Sequence, residues 1–293
     1  MIVVTTPTGT IGSAVAQALR AEGAPLRLVA RDPSRLPDSL REHADVIAGS
    51  HADPAVLEAA LTGADALFVL VPPNFSAADV REHYLGFARP IAAAVRAHAV
   101  PRLVAVSSLG RGYTGPAGLL SAAWAMDEVL ESSGAAYRSL QPPFFMENLL
   151  HQLALIRDQH MFVFAADPDA PLAAVATADI ARTAARLLAD PSWTGQQGVP
   201  VREPFDHTPR EMAQIISDTL GQPVTYQHAT LADYRAQYAS FGASPAMIDA
   251  MVEMSQAQAA GVYPPANGAG DGATFNHWCA AVLAPAVAVR SQP

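Results

Sequence analysis

Short apolar runs alternate with stretches in which apolar residues return every three or four positions. The runs at 2–4, 26–30, 45–48, 66–71, 102–108 and 136–141 have strand length. The stretches at 13–22, 54–61, 77–99 and 117–132 carry helical periodicity. Gly23 and Gly134 follow two of these helices where a left-handed C-terminal cap belongs. Strands that alternate with helices imply parallel crossovers. Strands that are apolar throughout imply a sheet covered on both faces. The pattern therefore predicts an α/β fold with a doubly wound parallel sheet.

After Pro142 the rhythm changes. Residues 144–159 read as a helix, 161–166 as a strand, and 177–191 as a helix stopped by Pro191. Thr208 is placed to cap a helix that opens on Pro209 and ends at Gly221. A short strand follows at 223–228, and 231–261 reads as one or two helices broken near 242–245. PPANGAGDGA, at 264–273, reads as a flexible loop. No internal repeat is present. The change of rhythm divides the chain into residues 1–150 and a smaller α/β region at 151–293, some of whose segments return to the first part.

Composition narrows the chemistry. Of the 293 residues, 51% are hydrophobic and 15% charged, which predicts a packed globular chain. A net charge of −9 argues against nucleic acid as a partner, since phosphate backbones need a basic face. Cys279 is the only cysteine, so an internal disulfide is excluded and a reducing cytoplasm is expected. No apolar run reaches the roughly 18 residues of a membrane span, and a first strand at Ile2 leaves no room for a leader. All 18 basic residues are arginine. Schiff-base chemistry, a Walker turn and a Tyr-x-x-x-Lys pair are thereby excluded. No paired-histidine or cysteine spacing suggests a metal.

The opening MIVVTTPTGTIGSAV places a Thr/Gly-rich turn between the first strand and the first helix. Such a turn binds a pyrophosphate, because free backbone amides and the helix dipole meet there. The spacing Thr6-x-x-Gly9-x-x-Gly12 departs from three glycines by having Thr6 first. Gly9 admits the pyrophosphate, Gly12 lets helix and strand pack closely, and Thr8 and Thr10 add hydroxyls. Thr6, Thr8, Gly9, Thr10, Ile11 and Gly12 are the candidate contacts of this turn. The second strand ends LVARDPSR, with Arg31 where an NAD-binding chain would carry an acid. A permanently charged fork suits a 2′-phosphate, so the expected cofactor is NADP(H), with Arg35 assisting. Asp32 could compete by reaching a ribose itself.

TTPTGTIG, VARDPSR, ADALFVLVPP, ESSGAAYRSLQPPFFMENLL and ATADIARTAARLLADP together resemble the NmrA-like family, an atypical branch of the short-chain dehydrogenases. The resemblance runs from Ile2 to about Gly261, and Phe145-Met146-Glu147-Asn148 is its most specific part. Thr6 for glycine, Ser50 for an acid and Gln141 for arginine depart from the family pattern. The resemblance implies a Rossmann-like fold with a loop after Gln141 beside the nicotinamide.

Ligands of such sheets bind beyond the carboxyl ends of the strands, which adds Pro72 and Ser107 to the cofactor candidates. Phe144, Phe145 and Met146 would then form an apolar wall, with Asn148 on the same helical face as His151. This wall suits a small flat aromatic or quinone substrate, although plain core packing explains the cluster equally well. His151 and Tyr113 are the candidate proton donors. Glu147 reads as a helical partner of His151, and the other histidines as surface residues. Two readings stay open: an NADPH-dependent oxidoreductase, including tailoring or coupling of aromatic polyketide monomers, and a non-catalytic redox sensor that contacts a regulator. A homodimer is left open.

Overall fold

The computed structural model describes residues 1–289. Residues 290–293, the end of the second predicted region, lie outside the described residues. The first half contains β1 (Ile2–Thr5), α1 (Thr10–Ala21), β2 (Leu26–Ala30), α2 (Asp38–Arg41), β3 (Asp45–Ala48), α3 (Pro54–Leu61) and β4 (Ala66–Val69). It continues with α4 (Val80–Ala97), β5 (Arg102–Val106), α5 (Leu119–Glu131) and β6 (Ala136–Gln141). The second half contains β7 (Phe144–Phe145), α6 (Leu153–Asp158), β8 (Met161–Phe164), β9 (Ala174–Val175), α7 (Thr177–Ala189), β10 (Gln196–Pro200), α8 (Pro209–Leu220) and β11 (Thr225–His228). It ends with α9 (Leu231–Ser240), α10 (Pro245–Ala259), α11 (Phe275–Trp278) and α12 (Ala284–Ala288).

Seven strands form one parallel sheet in the order β10-β6-β5-β4-β1-β2-β3, a Rossmann-like α/β architecture. Because successive side chains of a strand point to opposite faces, Val3 joins one core and Val4 the other. The first core packs against α3, α4 and α5 through Leu57, Ile91 and Met126. The second packs against α1 and α7 through Leu19, Ile180 and Leu188. Strand order reverses between β1 and β4, and a crevice opens at their carboxyl ends. A third core, around Phe162, Met212 and Trp278, belongs to the later elements.

Three expectations need correction. Residues 144–159 do not form one helix: Phe144–Phe145 pair with Ala174–Val175, a 3-10 turn covers Met146–Gln152, and only then does α6 begin. Pro142 and Pro143 supply no amide and bias the chain towards extension, and β9 satisfies the backbone that follows. Strand β10 was not legible, because an exposed edge segment reading QQGVP carries no apolar alternation. The segment 264–273 is not loose. Arg202 Nη1 donates to Pro264 O (2.5 Å), Asp206 accepts from Ala266 N (2.9 Å), and Asp179 accepts from Ala273 N (2.7 Å).

Glu203 anchors the end of that strap. It is buried, accepts from Phe275 N at 2.9 Å, and lies 3.5 Å from His207 Nε2. The hydrogen bond to Glu203 is the main cause that raises the His207 pKa, with Glu211 and Asp206 adding attraction. A raised folded value means stabilisation that is complete below histidine's ordinary range and lost as pH rises through the folded value. The unfolding temperature of the protein should therefore exceed that of His207→Gln more at about pH 5.5 than at about pH 8.5. Thermal denaturation at both values checks this, and a pH-independent difference would dissociate His207 from Glu203.

Candidate active site

The turn between β1 and α1 is built by close approach. Gly9 is the N-cap of α1 and offers no side-chain cap, and the first turn of the helix carries no acid. Its leading amides are thus free to meet an anion. A Cβ added at Gly12 would stand 2.2 Å from Thr6 O, so only glycine lets α1 cross β1 this closely. At Gly9 the nearest atom would be an ordinary 3.5 Å away, which leaves ligand approach as its reason.

Thr6 has φ +52°, the left-handed region where glycine is at ease and a β-branched residue is strained by about 1–2 kcal/mol. Its Oγ1 is buried without a partner. Glycine at the corresponding family position therefore answers a backbone need that this chain meets under strain. Gly9 N donates to Thr6 O at 3.0 Å and closes the turn.

A cavity of about 680 Å³ opens at this turn. Thr6, Thr8, Gly9, Thr10, Ile11 and Gly12 line one end of it, with Arg31 and Arg35 at the end of β2. Asp32 does not compete there. Its carboxylate accepts from Ser34 N (3.1 Å) and Ser34 Oγ (2.6 Å), and these bonds hold its pKa below the usual range. The free amides, the two arginines and the glycine cradle fit a phosphorylated dinucleotide.

The opposite wall is aromatic. His51 stacks obliquely on Phe87 at 4.6 Å, and His83 meets the same ring at 5.3 Å while donating from Nε2 to Pro72 O at 2.9 Å. Burial, with Arg31 adding to it and a hydrogen bond to the Leu70 backbone opposing it, pushes the His51 pKa down to about 4, so this ring is neutral at physiological pH.

Pro72, Phe145, Asn148 and His151 also line the cavity, as do Asn74, Glu147 and Thr177. Four predicted side chains do not. Ser107 turns inward and donates to Asp127 Oδ2 at 2.7 Å. Tyr113 packs against the cluster of Ala117, Trp124 and Val262. Phe144 meets Phe164 edge-on at 4.9 Å in the third core, and Met146 is fully buried there. Glu147 is no partner of His151. It accepts from Thr177 N (3.0 Å) and Trp278 Nε1 (3.2 Å), joining the loop after β6 to α7 and α11.

His51 is buried rather than at the surface, and its place after Gly49-Ser50 at the end of β3 is where the strand-end rule puts ligand contacts. A second cavity of about 580 Å³, against Phe205, Tyr263 and Pro264, holds none of the predicted residues. Among the described residues there is no metal-binding cluster, and no helix is long and apolar enough to cross a membrane.

Buried behind the site, Asp127 accepts from Ser107 Oγ (2.7 Å), Ser139 Oγ (2.8 Å) and Tyr137 OH (2.5 Å). Burial raises its pKa, against the lowering effect of these three bonds. The network ties α5 to β6 and to the residue that follows β5.

Comparison with known proteins points to the same cofactor class. A family model described as NAD(P)H-binding matches residues 7–191. The chain is 28% identical over 254 residues to the NAD(P)H azoreductase of Xenophilus azovorans, covering 87% of this chain and 86% of the relative. It is 26% identical over 257 residues to quinone oxidoreductase 2 of Escherichia coli, covering 86% of each. The fold superposes with a TM-score of 0.79 on the crystal structure of an NADPH-dependent quinone oxidoreductase from Escherichia coli complexed with NADPH. That match has 23% identity and covers 97% of this chain and 100% of the other.

Proposed function

This chain belongs to the NAD(P)H-binding family, and from that premise we propose that it is an NADPH-dependent oxidoreductase acting on a quinone or a comparable flat aromatic acceptor. The observation that carries the cofactor choice is the pair Arg31 and Arg35 at the end of β2, with Asp32 engaged by Ser34. When bound, the nicotinamide supplies a hydride. The Thr6–Gly12 turn binds the pyrophosphate, and the arginines hold the 2′-phosphate. Phe145 and Pro72 keep water from the reacting face, Asn148 orients the acceptor, and the His151 ring holds a proton for the acceptor oxygen. A quinone needs little acid assistance, which suits a chain without lysine. The named activities of the azoreductase and quinone oxidoreductase relatives support this acceptor class. Tailoring or coupling of aromatic polyketide monomers is the narrower use within it. Residues 1–150 with the returning segments bind cofactor, and the later region covers the substrate.

Arg31→Ala should weaken NADPH about tenfold and leave NADH almost unchanged, since the arginine is exposed and a charged hydrogen bond is worth less there. Calorimetric titration with both nucleotides measures this, and equal losses would discard the 2′-phosphate assignment. Addition of a naphthoquinone, read at the nicotinamide absorbance band, then tests turnover. Tight NADPH binding without oxidation would favour the redox-sensor reading. That second reading draws on Tyr113 and Ser107 lying outside the cavity.

A further inference from the structure

One aromatic surface, which continues from the Pro72–Asn74 wall of the cofactor cavity, has no part in the reading above. The cavity wall after β4 runs through Pro72, Pro73 and Asn74, and the next residue, Phe75, is 44% exposed. Its ring lies 6.1 Å from that of Tyr238 with only 13° between their planes. Tyr238 in turn meets Tyr234 edge to face at 4.8 Å. Phe241, just past the end of α9, is 72% exposed.

Single-chain stability does not account for this patch. No residue of α9 is buried, and its attachment to the body runs through the half-buried Tyr234 and Tyr238, packed against the first core. Phe75 keeps 44% of its surface in water despite its stack on Tyr238, and Phe241 keeps 72%; contiguous exposed apolar surface of this kind is what ligand-binding grooves present. The patch is also held in place relative to the cavity. Ser244 N donates to Phe75 O at 2.8 Å and Ser244 Oγ donates to Ala77 O at 2.5 Å, so the joint between α9 and α10 is tied to the cavity's own wall segment. The nearest cation on α9, Arg235, is neutralised by Asp249 at 2.7 Å.

We infer that Phe75 and Phe241, with Tyr238 stacked behind Phe75, form an acceptor shelf, on which the outer rings of a neutral, planar, fused-ring molecule rest while its inner ring enters the cofactor cavity. The inference deepens the proposed function by naming the shape of its substrate. It rests on that reading for the word acceptor only, because binding to the shelf does not require turnover. Aromatic rings favour offset or edge-on contact with a flat partner, and a ring already fixed by its stack on Tyr238 loses little freedom on binding one.

The test compares 9,10-phenanthrenequinone, with three fused rings, and duroquinone, with one, on the NADP⁺-loaded protein, each titrated by calorimetry. Phe75→Ala and Phe241→Ala should each raise the dissociation constant for phenanthrenequinone about tenfold relative to that for duroquinone. Tyr238→Phe, which keeps the ring, should leave the ratio unchanged. NADPH titration of each variant reports that the fold persists. Equal losses for both quinones, an unchanged ratio in the alanine variants, or no binding of phenanthrenequinone to the unmodified protein would overturn the shelf. Phenanthrenequinone is also added to the NADPH-loaded protein, and a shifted ratio with no fall in the nicotinamide absorbance there would keep the shelf and remove the oxidoreductase reading instead.

Discussion

Gly12→Ala is expected to weaken NADPH binding at least about a hundredfold and to lower the unfolding free energy by about 2 kcal/mol. The added carbon would stand 2.2 Å from Thr6 O, 2.7 Å from Thr6 C and 3.0 Å from Thr5 O, all backbone atoms that cannot rotate away. Relief requires α1 to move off β1 by about 1 Å, since packed interiors leave no slack. The same movement carries the leading amides of α1 away from the phosphates. Loss of two charge-assisted hydrogen bonds at about 1.5–3 kcal/mol each accounts for the hundredfold. Thr6→Gly should act in the opposite sense, releasing left-handed strain and removing the unpartnered hydroxyl. Calorimetry on both variants separates the effects. Undiminished affinity in Gly12→Ala would mean that the turn does not hold the cofactor.

Asp127→Ala should be the most destabilising single change at a polar side chain of the buried network. It strands the hydroxyls of Ser107, Ser139 and Tyr137 in a dry interior. Each unsatisfied donor costs about 1–3 kcal/mol, so a loss of about 4 kcal/mol follows. For a chain of this size that amounts to roughly 10 °C in unfolding temperature. Asp127→Asn keeps one acceptor oxygen and should lose less. Differential scanning calorimetry of the two variants decides. A shift below about 2 °C for alanine would show the network to be dispensable.

The parallel sheet was legible because β1, β4 and β5 are buried on both faces and therefore read as continuous apolar runs. Gln196 and Gln197 gave no such signal, since an edge strand facing water can be polar. In the site, the turn and Arg31 were legible because their positions at strand ends fix where their backbones lie. Side-chain direction was not. Ser107 sits at a strand end as expected, yet Asp127, 20 residues later, draws its hydroxyl inward. Met146 belongs to a motif that flanks the cavity, yet the third core claims its side chain. A motif supplies the address of a residue, while the tertiary partners that decide its direction are scattered through the chain. The strap shows the same limit. Gly270 and Gly272 read as freedom by composition, but they serve close approach, since a Cβ at Gly270 would stand 2.2 Å from Glu203 O.

Strand β10 has a consequence for how the protein is made. It completes the sheet beside β6, but more than 50 residues separate Gln141 from Gln196 in the chain. During synthesis β6 must therefore wait with an open edge until β10 leaves the ribosome, while the segments of the third core emerge between them. An open strand edge pairs readily with another chain. Yield of folded protein should thus depend on how quickly residues 142–200 are delivered, and slow translation through that stretch favours aggregates over the native sheet.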